Sequence, residues 1–173
     1  MKIPSLQIAV LSLLGLLGMG LSLHAWGVRS DAQQPIHIEG DDAKIDQHNE
    51  TIVYTGAVEV VQGTLRVTGD KMIVKIKGDQ VEQITTVGKP AHYQQQLDDN
   101  QGDVTAHADA IVYHTAAERI YLNGSASLTQ KGNKLEGESI RYDVVNGEVD
   151  ASAGNKPGRV RMQIDPAARP ARN

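Results

Sequence analysis

Two pairs of side chains in this 173-residue sequence have types and spacing that suit metal binding. His37 and Glu39, and likewise His107 and Asp109, stand two residues apart, so each pair would share one face of an extended strand. Imidazole and carboxylate groups both bind zinc, but no further ligands follow at a recognisable spacing. We therefore interpret both pairs as polar faces of exposed strands and predict no metal site.

The other chemical signatures are weak. Residues 98–103 have the composition of a calcium loop but lack the spaced acids and final glutamate of an EF-hand, so we interpret them as a polar turn. The chain has no cysteine and no nucleophile elbow, P-loop or H-E-x-x-H motif. Its net charge of −4 gives no reason to expect nucleic acid as a partner. We predict no catalytic residue and no cofactor, which favours a binding or structural protein over a hydrolase of envelope glycans.

Residues 1–27 are typical of an export signal. One basic side chain precedes an apolar run over residues 8–23, and the small residues Ala25 and Gly27 would stand three and one positions before a cleavage site. An uncleaved membrane anchor is the alternative, because the longer stretch 3–26 just reaches spanning length. We predict a signal peptide over 1–27.

The rest of the chain divides into a domain and a tail. The apolar residues of 28–164 alternate with polar ones, as Val58 and Val60 do around Glu59, and this period of two predicts strands with one buried face. Glycine and asparagine turns punctuate the strands, and the pair at 146–147 is the strongest hairpin signal. Residues 165–173 are rich in Pro, Ala and Arg, which predicts a disordered basic tail.

A repeat with an offset of 68 residues organises the domain. Seven residues recur in identical form at this offset: Asp41, Glu50, Ile52, Gly56, Gln62, Gly69 and Val81 match Asp109, Glu118, Ile120, Gly124, Gln130, Gly137 and Val149. Two equivalent halves of short strands predict a sandwich or jelly roll, and a parallel β-helix is the alternative architecture. The scarcity of aromatic residues, with no Phe, suggests an interior that lipid chains could complete.

Five short motifs resemble the periplasmic lipopolysaccharide-transport bridge proteins, the A component of the Lpt export machinery (the OstA-like family). They lie at 34–39 (QPIHIE), 54–58 (YTGAV), 62–65 (QGTL), 70–71 (DK) and 88–91 (GKPA), in the order and spacing of that family. The resemblance implies an antiparallel β-jelly roll of about sixteen short strands with an open apolar groove. It also implies that the acyl chains of lipid A lie in the groove while lipopolysaccharide crosses the periplasm.

The resemblance and the apolar stripes together give a groove and two edges. By motif, the family's groove-lining positions fall on Ile36 and Tyr93. The expected groove residues are Ile36, Ile38, Val58, Val60, Leu65, Val67, Met72, Val74, Tyr93 and Leu128. We expect two edge strands, which would pair with other copies or with same-fold partners by β-augmentation. One edge strand comprises Pro35, Ile36, His37, Ile38 and Glu39, and the other comprises Arg159, Val160, Arg161 and Met162.

The implied partners are lipopolysaccharide, the inner-membrane Lpt component C, the outer-membrane Lpt component D, and further copies of the chain joined head to tail. Because the two edges differ, such a contact would be heterologous and would not close. Two alternatives stay open: the chain could be the membrane-anchored sister component of the same fold, or a structural adaptor that joins envelope proteins without binding lipid.

Overall fold

A computed structural model describes residues 31–97, 102–155 and 158–166. In this part of the chain a short 3-10 helix (Asp31–Gln33) precedes ten strands. The described residues form no α-helix. The strands are β1 (His37–Glu39), β2 (Asp42–Asp46), β3 (Thr51–Gln62), β4 (Leu65–Lys77), β5 (Gln80–Leu97), β6 (Gly102–His114), β7 (Arg119–Gln130), β8 (Asn133–Asp143), β9 (Glu148–Ser152) and β10 (Arg161–Gln163). The all-β prediction is confirmed, whereas the predicted signal peptide lies outside the described residues.

All ten strands form one unclosed sheet. The strand order is β1-β3-β4-β5-β6-β7-β8-β10, and in addition β2 pairs with β3 and β9 pairs with β8. Every pairing in the described ranges is antiparallel, which excludes the parallel β-helix there. No helix in these ranges has the length and apolar character to cross a membrane.

Breaks in register divide the sheet into two layers. The pairing shifts after Thr55, Thr68, Val87, His107 and Asn123, so that β3 to β8 each contribute one segment to each layer. Layer A consists of β1, residues 58–62, 65–69, 91–97, 102–108, 126–130 and 133–137, and β10. Layer B consists of β2, residues 51–55, 71–77, 80–87, 110–114, 119–123 and 139–143, and β9.

The strand count therefore differs from the expected sixteen in a simple way. There are sixteen paired segments, eight in each layer, but six pairs of segments are continuous, which leaves ten strands. Each strand bends at its irregularity instead of ending in a turn, and sequence alternation alone does not distinguish the two cases. The apolar faces of both layers belong to one buried core.

The 68-residue repeat is confirmed in the backbone. Gly56 and Gly124 have φ of 77° and 80°, values that favour glycine. A Cβ on Gly56 would lie 2.2 Å from Oδ2 of Asp41, and one on Gly124 would lie 2.4 Å from Oδ2 of Asp109. Equivalent hydrogen bonds follow the same offset, since the amides of residues 76 and 144 donate to the carbonyls of residues 50 and 118 at 2.9 and 3.1 Å. The glycine and the aspartate thus recur because the same kind of bend joins the two layers in each repeat.

Candidate functional site

Each layer has one interior row of apolar side chains that runs without interruption from edge to edge. Cross-strand pairing places the layer A row in the order Ile38, Val60, Val67, Tyr93, Ala106, Leu128, Leu135 and Met162. The layer B row is Ile45, Ile52, Val74, Ile84, Tyr113, Ile120, Tyr142 and Val149. Every segment of the sheet contributes one member, because each strand alternates in step with its neighbours.

The rows are buried in the middle, and three of their four ends are exposed, while Ile38 at the fourth end is partly buried. Val60 and Ile120 are fully buried, whereas Ile45 and Val149 at the ends of the layer B row are 67% and 36% exposed. Met162, which ends the layer A row, is 63% exposed. Large exposed apolar side chains at the end of a core commonly mark a surface that contacts another molecule. The interior therefore presents apolar surface at both edges of the sheet.

The structure brings the ten expected groove residues together on the interior. Eight of them are buried in the core: Val58, Val60, Leu65, Val67, Met72, Val74, Tyr93 and Leu128. Ile36 and Ile38 are partly buried and pack against that core. Most of these side chains are buried, and protein interiors are close-packed, so a bound chain would have to separate the two layers.

The list of expected groove residues left out most of the interior that the second repeat contributes. These residues are Ile111, Tyr113, Ile120, Leu122, Ile140 and Tyr142. The repeat itself carried the missing signal, because adding 68 to Ile52 and Val74 gives Ile120 and Tyr142, which lie in the same row.

A polar network joins the 3-10 helix to layer A at β5 and at the turn between β3 and β4. The Tyr93 hydroxyl donates to Oε1 of Gln95, and Nε2 of Gln95 donates to Oδ2 of Asp31 at 2.8 Å. Asp31 also accepts hydrogen bonds from the amide and the hydroxyl of Thr64, at 2.8 and 2.6 Å. Burial raises the pKa of Tyr93 well above its ordinary value, so this phenol stays protonated and acts as a donor. We call these contacts of Asp31 the Asp31 clamp.

Two buried polar atoms in this interior have no partner among the described residues: Oε1 of Gln62 and the Tyr142 hydroxyl. Nε2 of Gln62 donates to the carbonyl of Gln34 at 3.2 Å, so this amide is half satisfied. Burial raises the pKa of Tyr142 above its ordinary value and that of Tyr113 to about 12. The phenols of Tyr93, Tyr113 and Tyr142 are therefore neutral at physiological pH.

Two clefts reach the interior from outside. One, of about 390 Å³, lies between the layers at the side opposite the bends, and it is lined by Gln34, Ile36, Gln62, Gln80, Val81, Thr115, Ala116 and Glu118. The other, which we call the C-terminal cleft, has a volume of about 150 Å³ and is lined by Leu128, Gln130, Asn133, Lys134, Leu135, Val149 and Met162. The lining of the C-terminal cleft includes the last three members of the layer A row, Leu128, Leu135 and Met162, and the last member of the layer B row, Val149, so the core opens here.

The expected edge strands are shorter than the sequence suggested. Of the N-terminal five residues, His37, Ile38 and Glu39 form β1, while Pro35 and Ile36 precede it. Of the C-terminal four, Arg161 and Met162 lie in β10, while Arg159 and Val160 precede it and are exposed. Within the described ranges, β1 pairs only with β3 and β10 only with β8, so each leaves one side of its backbone unpaired.

The two His and acidic pairs do not form ligand clusters. His107 faces His92 across the strands, with ring centroids 6.3 Å apart, while Asp109 packs against Gly124. In the part of the chain that the structure describes, no three His, Cys, Asp or Glu side chains are grouped so that they could hold a metal ion.

The fold and its interior define a β-jelly roll whose apolar core is exposed at both edges of an unclosed sheet. The chain belongs to the family of LptA/(LptD N-terminal domain) LPS transport proteins, whose family model matches residues 37–148.

Individual relatives agree with this assignment. The lipopolysaccharide export system protein LptH of Pseudomonas aeruginosa is 33% identical over 164 residues, which cover 93% of this chain and 92% of the relative. The protein LptA of the same export system in Escherichia coli K12 is 34% identical over 151 residues, covering 86% of this chain and 80% of the relative. The crystal structure of LptH, described as the LptA-homologous periplasmic component of the transport device, superposes with a TM-score of 0.73 at 35% identity and covers 80% of this chain and all of that one. The chain is thus homologous to lipopolysaccharide export proteins.

Proposed function

We propose that this chain binds lipopolysaccharide through the acyl chains of lipid A and carries it across the periplasm as one unit of a head-to-tail protein bridge. The observation that carries the proposal is the pair of apolar rows, which run from edge to edge and have exposed apolar side chains at three of their four ends. The family and the named relatives, all of them lipopolysaccharide transport or export proteins, support the same conclusion.

The interior has the physical properties that acyl chains need. Each CH₂ group removed from water contributes about 0.8 kcal/mol, so a long chain gains enough to offset some loss of protein packing. The layers are continuous through the bends of β3 to β8, and no strand of layer A pairs with a strand of layer B across the opposite side in the described ranges. Lipid can therefore separate the layers along that side without breaking a strand ladder.

The sheet can also continue into a second copy. Each layer has eight segments, an even number, so β1 and β2 of one copy would run antiparallel to β10 and β9 of the next. Continuing the register places Met162 beside Ile38 of the next copy and Val149 beside its Ile45. The apolar rows would then extend through the junction as one surface.

Charges on the outer face mostly favour this register. The row that starts at Glu39 ends at Arg161, so opposite charges would meet at the junction in layer A. In layer B the row that starts at Lys44 ends at Asp150, which is also an attractive pair. A third row brings Asp46 of one copy to Glu148 of another and is repulsive. The edges therefore favour a head-to-tail contact, with one unfavourable pair.

The same edges suit partners of the same fold at the two ends of the bridge. We propose that these are the inner-membrane Lpt component C and the outer-membrane Lpt component D. The family model, which unites LptA with the N-terminal domain of LptD, supports the second partner. Export to the periplasm would use the signal peptide 1–27, and N-terminal sequencing of the exported protein would distinguish cleavage before Val28 from a retained anchor.

Site-specific photo-crosslinking in cells tests lipid binding. A crosslinking side chain at Val60 or Met162, on the interior face, should capture lipopolysaccharide, and one at Ile36 should do the same. The matched controls are Glu59 and Arg161, which are sequence neighbours of Val60 and Met162 but lie on the outer face. Equal labelling of both faces would contradict the proposed route.

The packed core favours one other function, that of an adaptor that joins envelope proteins by strand pairing without binding lipid. Eight of the ten expected groove residues are buried with the layers in contact. Purified wild-type chain should decide the question when it is incubated with lipid A and separated from free lipid. An adaptor would assemble through its edges yet retain no lipid, and deletion of residues 159–173 would abolish its assembly only.

A further inference from the structure

Tyr142 places a hydrogen-bond donor inside an apolar row. Its side chain lies between Ile120 and Val149 in layer B and is 1% exposed. Its hydroxyl has no hydrogen-bond partner among the described residues. The neutral phenol keeps its proton, so it can donate one hydrogen bond to any acceptor that enters the interior.

The unpaired hydroxyl does not improve the packing. Leaving a buried donor without a partner destabilises a fold, and phenylalanine would fill the same volume without that loss. The buried Tyr93, in the opposite layer, shows the usual solution, because its hydroxyl donates to Gln95. Tyr142 therefore differs from an ordinary core tyrosine in a way that a bound molecule with an acceptor would explain.

Tyr142 lies one cross-strand position away from an opening. Val149, its cross-strand neighbour, lines the C-terminal cleft. The cleft volume of about 150 Å³ is that of an apolar cavity able to hold a benzene-sized group. Gln130, Asn133 and Lys134 add polar groups to the lining. A chain that enters from the C-terminal edge would pass Val149 and then reach Tyr142.

We propose that Tyr142 recognises acylated lipid: its hydroxyl donates a hydrogen bond to an ester or amide carbonyl oxygen of a bound acyl chain. This inference rests on the proposed function, since it assumes that lipid occupies the interior. It adds that the interior distinguishes acyl lipids from plain hydrocarbon. The hydroxyl then acts as a specificity determinant within an otherwise apolar row.

Two probes and two variants test this inference. Lipid A has ester and amide carbonyls, whereas diphenylhexatriene is a fluorescent hydrocarbon with no acceptor. Tyr142→Phe should weaken lipid A binding about 3- to 10-fold, the effect of one hydrogen bond, and leave diphenylhexatriene binding unchanged. Tyr121→Phe is the matched control, because Tyr121 lies in a row of the outer face and contacts His114. It should bind both probes as the wild type does.

Infrared spectra and thermal unfolding complete the test. The carbonyl stretch of isotope-labelled lipid A should shift to higher frequency in Tyr142→Phe, because the hydrogen bond is lost, and the lipid-free variant should melt no lower than the wild type. Unchanged lipid A affinity, equal weakening of both probes or a lower lipid-free melting temperature would each overturn the role of Tyr142. Failure of the wild type to bind lipid A would instead refute the proposed function.

Discussion

The N-terminal edge, formed by β1 and β2, and the C-terminal edge, formed by β9 and β10, each present one short strand per layer. The N-terminal edge is preceded by the Asp31 clamp, in which one carboxylate accepts three hydrogen bonds from Thr64 and Gln95. Among the described residues, the corresponding contact after β10 is a hydrogen bond from the amide of Asp165 to Oδ1 of Asn133 at 3.1 Å. The first edge is therefore held more firmly than the second.

The difference arises outside the repeat. The hairpin turns at residues 63–64 and 131–132 are related by the 68-residue offset, and each lies against an aspartate. A Cβ on Gly63 would be 2.1 Å from the Asp31 carboxylate, and one on Gly132 would be 2.8 Å from that of Asp165. Duplication of the 68-residue repeat alone would give two equivalent edges. The segments that contain Asp31 and Asp165 make the two edges different. In the proposed head-to-tail contact, the N-terminal edge with its Asp31 clamp would meet a C-terminal edge that has fewer such contacts among the described residues.

Asp31→Ala should have the largest effect on this comparison. It removes the acceptor of three hydrogen bonds and leaves the amide of the buried Gln95 without its partner. We expect the free energy of unfolding to fall by about 2 kcal/mol. Asn133→Ala, the matched change at the other edge, should lose only about 0.5 kcal/mol. Urea unfolding of both variants measures the difference, and equal losses would contradict the unequal anchoring.

Part of this architecture follows from local sequence and part does not. Alternation around Glu59 identified Val58 and Val60 as interior, because the period of two is a local property of a strand. The Asp31 clamp had no such signal, since it joins residues 33 and 64 positions apart through polar side chains. The sequence also did not predict that β3 to β8 continue from one layer into the other. A bend at a bulge and a turn between two strands both use glycine and aspartate, so the local sequence does not distinguish them.

Charge reversal at the edges should have an intermediate effect. In the proposed junction Arg161 meets Glu39 of the next copy, so Arg161→Glu or Glu39→Arg should weaken self-association about 3- to 10-fold, and the double variant should restore most of it. Glu148→Lys should act in the opposite direction, because it converts the repulsive pair with Asp46 into an attractive one. Sedimentation velocity at low salt measures each effect, and added salt should reduce all of them.

The same experiment distinguishes this register from other edge contacts. A double variant that assembles no better than the single variants would contradict the pairing of Arg161 with Glu39. Melting temperatures of the dilute proteins provide the control, because Arg161 also lies opposite Glu136 on β8 within one copy. A loss of assembly that follows a loss of β10 from the sheet would appear there as a lower melting temperature.

The smallest expected effect concerns the acid sensitivity of the two edge hairpins. Both turns use an aspartate that accepts a hydrogen bond from the amide three residues later: Asp46 from Asn49 and Asp143 from Asn146, each at 3.0 Å. The side chain of Asn49 lowers the pKa of Asp46, and that of Arg119, which donates to Asp143 at 2.9 Å, lowers the pKa of Asp143. The hairpin of β8 and β9 thus has an ion pair in addition to its turn.

A lowered pKa stabilises the folded state above the ordinary value of 3.8, and that contribution is lost as the pH falls through the folded-state pKa. Asp46→Asn and Asp143→Asn should each reduce stability at pH 7, and each difference from the wild type should shrink below pH 3.8. The loss should be greater for Asp143→Asn, because it also breaks the pair with Arg119. Urea midpoints measured from pH 7 to pH 2.5 test this order. If both differences stayed constant with pH, the carboxylate charges would have no part in holding the hairpins, and the edges would differ through the Asp31 clamp alone.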